Sequence, residues 1–277
     1  MGSRLRGGRT WLLHYSGFWL LGALIAIAIV GPFVTPYDPV HANPADALLT
    51  PSTEHWFGTN AYGADVFTRV VHAARLDLII ATISVLVSFF IGSGLGALVG
   101  FSRSWWSNLV LRILEFVQSF PVFIIALALV AVSGPTTENV ILVIGVLNVP
   151  IFARLVRSEV LGLREKAFVE AGRATGSSTV RLTLKYILPN SMVSAVAQAS
   201  VSVGFALLLT AGLSFIGAGL QSPTPEWGVM IAEGAGYTVS GQWWMVIFPG
   251  LALGLAVLGF AMAGDAIGRM LDPRLAR

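Results

Sequence analysis

Hydrophobic positions along this 277-residue chain gather into six long runs separated by polar segments. The runs cover about 17–34, 78–100, 109–133, 139–156, 192–216 and 243–264. Each approaches the roughly 17–25 residues that a helix needs to cross about 30 Å of hydrocarbon. Pro121 in the third run and Pro150 in the fourth predict kinks, because proline removes a backbone donor and crowds the preceding turn. The pattern predicts an all-α integral membrane protein with six transmembrane helices.

Composition agrees. The chain is 55% hydrophobic and only 11% charged, against about 25% charged residues in ordinary soluble domains. With no Cys, disulfides and Cys-based metal or redox sites are excluded. The net charge of +3 is spread over short loops, which does not point to nucleic-acid binding. The N-terminus carries three Arg before an apolar run, as a signal peptide does. The run is longer than a usual signal core and lacks a small-x-small cleavage site, so a retained first helix is expected. Residues 1–16 then form an N-terminal segment and 17–277 one membrane domain. No internal repeat is visible, which gives no support to an inverted-repeat carrier.

Lys and Arg positions predict the orientation. Arg4, Arg6 and Arg9 precede the first run; Arg103 and Arg112 flank the turn after the second. Arg154, Arg157, Arg164, Lys166, Arg173, Arg181 and Lys185 follow the fourth; Arg269, Arg274 and Arg277 follow the sixth. Of 17 basic residues, all but Arg69 and Arg75 thus lie on one side, and those two fall in the long segment 35–77. Both termini and the 157–191 loop are expected in the cytoplasm.

That loop has helical order. In "FVEAGRATGSSTVRLTLKYILPN" (168–190), Phe168, Ala171 and Thr175 recur at helical spacing ahead of Gly176. Gly176 suits a helix C-terminus, and Ser177 or Ser178 suits the cap of a second helix. Val180, Leu184 and Ile187 would share a face of it, and Pro189 ends the pattern. Arg181 and Lys185 would also fit a basic loop lying on anionic headgroups. That alternative leaves the small-residue tip "EAGRATG" unexplained, whereas Ala and Gly let another protein approach closely.

"EAGRATG" followed by "ILPN" resembles the cytoplasmic coupling loop of bacterial ABC-importer permeases. The resemblance extends through "HWFGTNAYGADVFTRVVHAAR" (55–75), "SFP" (119–121), "LSFIGAGLQSPTPEWG" (213–228), "FPGLALGL" (248–255) and "GDAIGRMLDPRL" (264–275). Together these are similar to the permease family of dipeptide, oligopeptide and nickel importers, in its second-permease branch. The resemblance implies a type I ABC importer permease fold in the bacterial cytoplasmic membrane. It implies that Glu170, Ala171, Gly172, Arg173, Ala174, Thr175 and Gly176 form a coupling helix docking on an ATPase. It further implies a second homologous permease, two cytoplasmic ATP-binding subunits that carry ATP and Mg, and an extracytoplasmic peptide-binding protein. The chain departs from the common pattern at Gly172, Thr175 and Tyr186; Gly172 should cost the helix roughly 1 kcal/mol relative to Ala.

The chain has no means of its own to burn ATP. Its two lysines, Lys166 and Lys185, sit in no Gly-rich phosphate loop. His14, His41, His55 and His72 form no metal-binding pattern and read as solvated or interfacial, and no GxSxG elbow occurs. A non-catalytic subunit is expected, with no cofactor or metal of its own. Ser194, Gln198 and Ser202 form a stripe at i, i+4 and i+8 that would line a hydrated path; it fits helix-to-helix glue as well, and that reading carries more weight. Arg112 with Glu115, and Asp265 with Arg269, read as local ion pairs. The segment 217–242 reads as turns with interfacial Trp. Its Glu226, with Asp65 and Arg69, is expected near the binding-protein contact. The competing readings are a nickel or glutathione permease of the same family and, in a different class, an ATP-independent channel or carrier.

Overall fold

The computed structural model describes residues 4–102 and 104–271. Ten α-helices carry the described chain: α1 Arg4–Val34, α2 Val66–Phe101, α3 Trp105–Gln118, α4 Val122–Ser133 and α5 Thr137–Leu163, then α6 Ala167–Ala174, α7 Thr179–Leu182, α8 Leu188–Phe215, α9 Trp227–Ala235 and α10 Trp244–Leu271. Five of them (α1, α2, α5, α8 and α10) are each long and apolar enough to cross a membrane. The third run is interrupted, and its two halves taken together bring the candidate spans to six. It breaks into α3 and α4, bent by 91°. Pro121 disfavours helix in the residue before it. Ser119 closes α3 by donating its Oγ to Phe116 O at 2.7 Å, and Pro121 O restarts the ladder by accepting from Ile124 N and Ile125 N. At Pro150, by contrast, α5 runs on unbroken.

The second span starts earlier than its hydropathy suggests. Asp65 caps α2 by accepting Thr68 N at 2.7 Å, so Arg69 and Arg75 are helical and not in a loop. At 36 residues α2 is about 54 Å long and outruns the hydrocarbon. Its first turns stand inside a cap built from residues 35–65 and 217–243. The second of these segments contains α9, and Trp227 within it is a core residue at 1% exposure, not an interfacial one.

α2 lies at the centre, packed along α5 and against α8 and α1, while α10 closes on α8, α1 and α9. One apolar core joins them through Ile80, Ile144, Phe152, Leu207 and Leu213. Outward faces stay greasy, with Phe33, Phe90 and Val132 all exposed. Such surfaces suit lipid or another membrane chain. Pro189 does not end the second loop helix. A π turn over Thr183–Ile187 feeds directly into α8, with Pro189 in its first turn, where a missing N–H costs little. Arg103, Arg274 and Arg277 lie outside the described residues, as do the side chains of Arg4, Arg6, Arg9, His14, Val180 and Leu184.

Candidate functional site

The α6 tip projects from the junction between α5 and α8. Its buried anchor is Val169, at 1% exposure, which joins Leu182, Ile187, Val156 and Val160 in the core. The face predicted from Phe168, Ala171 and Thr175 is the open one; all three are exposed. Glu170, Arg173, Ala174 and Gly176 are exposed with them, and only Gly172 turns partly inward. Glu170 lies in the first turn and Arg173 in the last, the order that the helix dipole favours.

The C-terminus of α6 is closed by a full Schellman motif. Ser177 N donates to Gly172 O and Gly176 N to Arg173 O, each at 3.0 Å. Gly176 takes φ +80°, a conformation that a Cβ would strain. Thr175 Oγ1 donates to Gly172 O at 3.0 Å. Ser178 then caps α7, its Oγ accepting from Arg181 N at 3.3 Å. A Cβ at Gly172 would meet Leu182 Cδ2 at 2.5 Å, so the Leu182 side chain would have to turn to admit one. The tip is thus a short rigid knuckle. It joins α5 through the turn at Arg164, whose Nη1 donates to Gly100 O at 3.1 Å, and it joins α8 through α7 and the π turn.

Between the C-terminal half of α5, the start of α8 and the end of α10 lies a cleft of about 740 Å³. Ser194 and Gln198 line it; Ser202 does not and is 2% exposed. Ser194 Oγ donates to Glu159 Oε1 at 2.8 Å, and Gln198 Nε2 donates to Ser202 Oγ at 3.3 Å. Ser194 thus ties α8 to α5, whereas the Gln198 bond stays within α8. Glu159 was not singled out from sequence because it sits past the apolar run, among the basic residues Arg154, Arg157 and Arg164. Asp265 lines the same cleft and pairs with no base among the described residues, and neither does Glu115.

At the opposite end, Asp65, Arg69 and Glu226 are buried at 4%, 2% and 0% exposure. None offers its side chain to an incoming protein. Asp65 Oδ2 holds His55 Nδ1 at 3.0 Å, and the His55 ring stacks on Tyr37, so this histidine is neither solvated nor interfacial. Arg69 meets Glu233, and Glu226 caps α9 by accepting Gly228 N at 2.9 Å and Val229 N at 2.7 Å. Burial pushes the Glu226 carboxyl above its ordinary range, against those two donors and the Ser214 hydroxyl. The three residues build the cap from within.

Residues 92–277 match the family described as binding-protein-dependent transport system inner membrane component. The chain is 40% identical to the dipeptide transport system permease protein DppC of Alkalihalophilus pseudofirmus, over 94% of this chain and 85% of that protein. It is 35% identical to the probable D,D-dipeptide transport system permease protein DdpC of Escherichia coli, over 98% and 93% respectively. It is 38% identical to the glutathione transport system permease protein GsiD of Escherichia coli, over 91% and 83%. Among solved structures, an inward-facing conformation of the MetNI methionine ABC transporter superposes with a TM-score of 0.61 at 22% identity, covering 74% of this chain and 97% of that one. The fold is that of a type I ABC importer permease, and the chain belongs to the family of binding-protein-dependent transport system inner membrane components.

Proposed function

We propose that the chain is one permease half of an ATP-driven importer of short peptides. The observation that carries this reading is the α6 knuckle: an exposed Glu170–Gly176 surface of small residues, fixed by Val169 and tied to two spanning helices. Such a tip fits a cleft on a cytoplasmic ATP-binding subunit, and ATP with Mg would be held there. The distribution of Lys and Arg supports a cytoplasmic knuckle and cytoplasmic termini.

The mechanism is mechanical. ATP binding draws two nucleotide-binding subunits together and moves the docked knuckle. α5 and α8 leave the knuckle in opposite chain directions, so they move with it, and α2 follows through its long contact with α5. A pathway shared with a second, homologous permease switches from inward-open to outward-open and receives cargo from an extracytoplasmic binding protein. Coupling requires that ATP favour one of the two states. The permeases named for dipeptide transport support peptide cargo; the relative named for glutathione keeps that tripeptide as a second reading.

The test is reconstitution with partner subunits in liposomes. Glu170→Lys and Ala171→Trp change exposed side chains and should leave the fold intact. ATP-driven peptide uptake should fall at least tenfold while the melting temperature stays put. Uptake by this chain without any ATPase would sink the proposal in favour of a channel or carrier.

A further inference from the structure

The elbow between α3 and α4 leaves a cavity of about 400 Å³ against α5 and α8. That lies within the roughly 300–1,000 Å³ of small-molecule sites. Phe120 and Phe205 give it apolar walls. Three polar side chains line it. Gln118 has an Oε1 that is buried without a hydrogen-bond partner. Asn148 is 1% exposed; its Nδ2 donates to Ile144 O at 2.9 Å, which leaves Oδ1 to accept from something else. Arg154 lines the cavity from an exposed position and has no ion pair among the described residues.

These groups are complementary to one kind of ligand. Two amide oxygens want N–H donors, and an unpaired guanidinium wants a carboxylate. Asn148 and Arg154 are six residues apart on α5, about 9 Å along its axis. An extended chain of two to three residues spans about 7–11 Å. Arg154 also stands inside a helix that crosses the membrane, where an ionisable side chain is a functional suspect by default.

We propose that the elbow cavity is a peptide subsite of the translocation pathway. Arg154 takes the free α-carboxylate, and Gln118 and Asn148 take peptide N–H groups. The orphaned Gln118 amide gains a partner only when peptide is present, so it swings toward cargo instead of holding the empty shape. The inference deepens the permease reading and rests on it.

Because the chain has no Cys, Ile151→Cys on the cavity wall gives it a single thiol. The variant is placed in the full assembly with Cys-free partners in liposomes. Its modification by a small charged methanethiosulfonate is timed with no peptide, with alanyl-alanine and with alanyl-alanine amide. The free acid should slow modification at least fivefold and the amide much less. Arg154→Gln should erase the difference between the two, and Gln118→Leu should weaken protection by both. Unchanged rates in an assembly that imports alanyl-alanine with ATP would overturn the subsite alone, as would a difference that survives Arg154→Gln. An assembly that imports no peptide with ATP would overturn the permease reading, and the subsite with it. If Ile151→Cys impairs assembly, Val122→Cys on the facing wall serves the same measurement.

Discussion

Arg69 on α2 meets Glu233 on α9, Nη2 to Oε2 at 3.3 Å, although 164 residues separate them in sequence. Both side chains are largely buried, at 3% and 12% exposure. Arg69 also donates Nη1 to Pro39 O and Pro223 O, so one guanidinium ties the 35–65 segment, the turn before α9, and α9 itself. Removing one partner strands a buried charge, which costs about 3–5 kcal/mol. Arg69→Met or Glu233→Met alone should therefore destabilise the purified protein strongly. The double variant should lose less than the two singles combined. Denaturant unfolding in detergent measures all three; additive losses would show that the pair is not coupled.

Glu226 predicts a pH dependence. Burial raises its folded-state pKa above the ordinary 4.5. The folded protein then binds this proton more tightly than the unfolded chain does. The stability it contributes is complete below 4.5 and is lost as pH rises through the folded value. Glu226→Gln resembles the protonated carboxyl and should remove that slope. Melting curves of wild type and variant should diverge as pH climbs from about 4.5, with the variant the less pH-sensitive. Parallel curves would show that Glu226 does not titrate in this window.

At the knuckle, Gly172 faces Leu182, whose Cδ2 lies 2.5 Å from where a Cβ would stand. The methyl is the far end of a flexible side chain, so it has room to turn. Gly172→Ala gains about 0.5–1 kcal/mol of helix preference. That gain roughly offsets the displacement, and stability should change by less than about 1 kcal/mol. Gly172→Val overfills the contact and should cost about 1–3 kcal/mol. Leu182→Ala should then recover part of the Gly172→Val loss. Failure of that rescue would mean that Gly172 is set by something other than Leu182.

Long apolar runs revealed the spanning helices because lipid imposes hydrophobicity on every face of a helix. The knuckle was legible from Gly176 and its flanking small residues, since a Schellman closure needs a residue that tolerates positive φ. The face of α6 that packs was not legible. Val169 is a single apolar residue, and the core that it joins is built from other elements. The early start of α2 was hidden because Arg69, His72, Arg75 and Asp77 lower its hydropathy, and the partners that satisfy Arg69 and Asp77 lie about 150 residues downstream. The elbow at Pro121 and the continuity at Pro150 carry the same sequence signal. What separates them is local: at Ser119 both hydroxyl and backbone N–H close on Phe116 O, ending α3 before the proline arrives. Arg154 read as one of the basic residues between the fourth and fifth spans because it stands at the very end of the fourth apolar run, yet α5 continues nine residues beyond it to Leu163.

The α2–α5 contact offers a sharp test because two glycines of the same helix differ in surroundings. Gly92, Gly96 and Gly100 repeat every four residues on α2 and let it lie close against α5. A Cβ at Gly96 would strike the backbone carbonyl of Ala153, and backbone in a packed helix has nowhere to turn. Two positions away, Gly94 has nothing within 4 Å. Alanine at Gly94 should stabilise α2 by about 0.5–1 kcal/mol through helix preference alone. Alanine at Gly96 carries the same preference but forces the two helices apart, and should cost about 1–3 kcal/mol net. If α5 transmits knuckle motion to α2, the Gly96 variant should also lose peptide uptake per ATP hydrolysed, while the Gly94 variant keeps it. Equal behaviour of the two variants in unfolding and uptake would mean that the close approach at Gly96 neither holds the helices together nor passes the movement on.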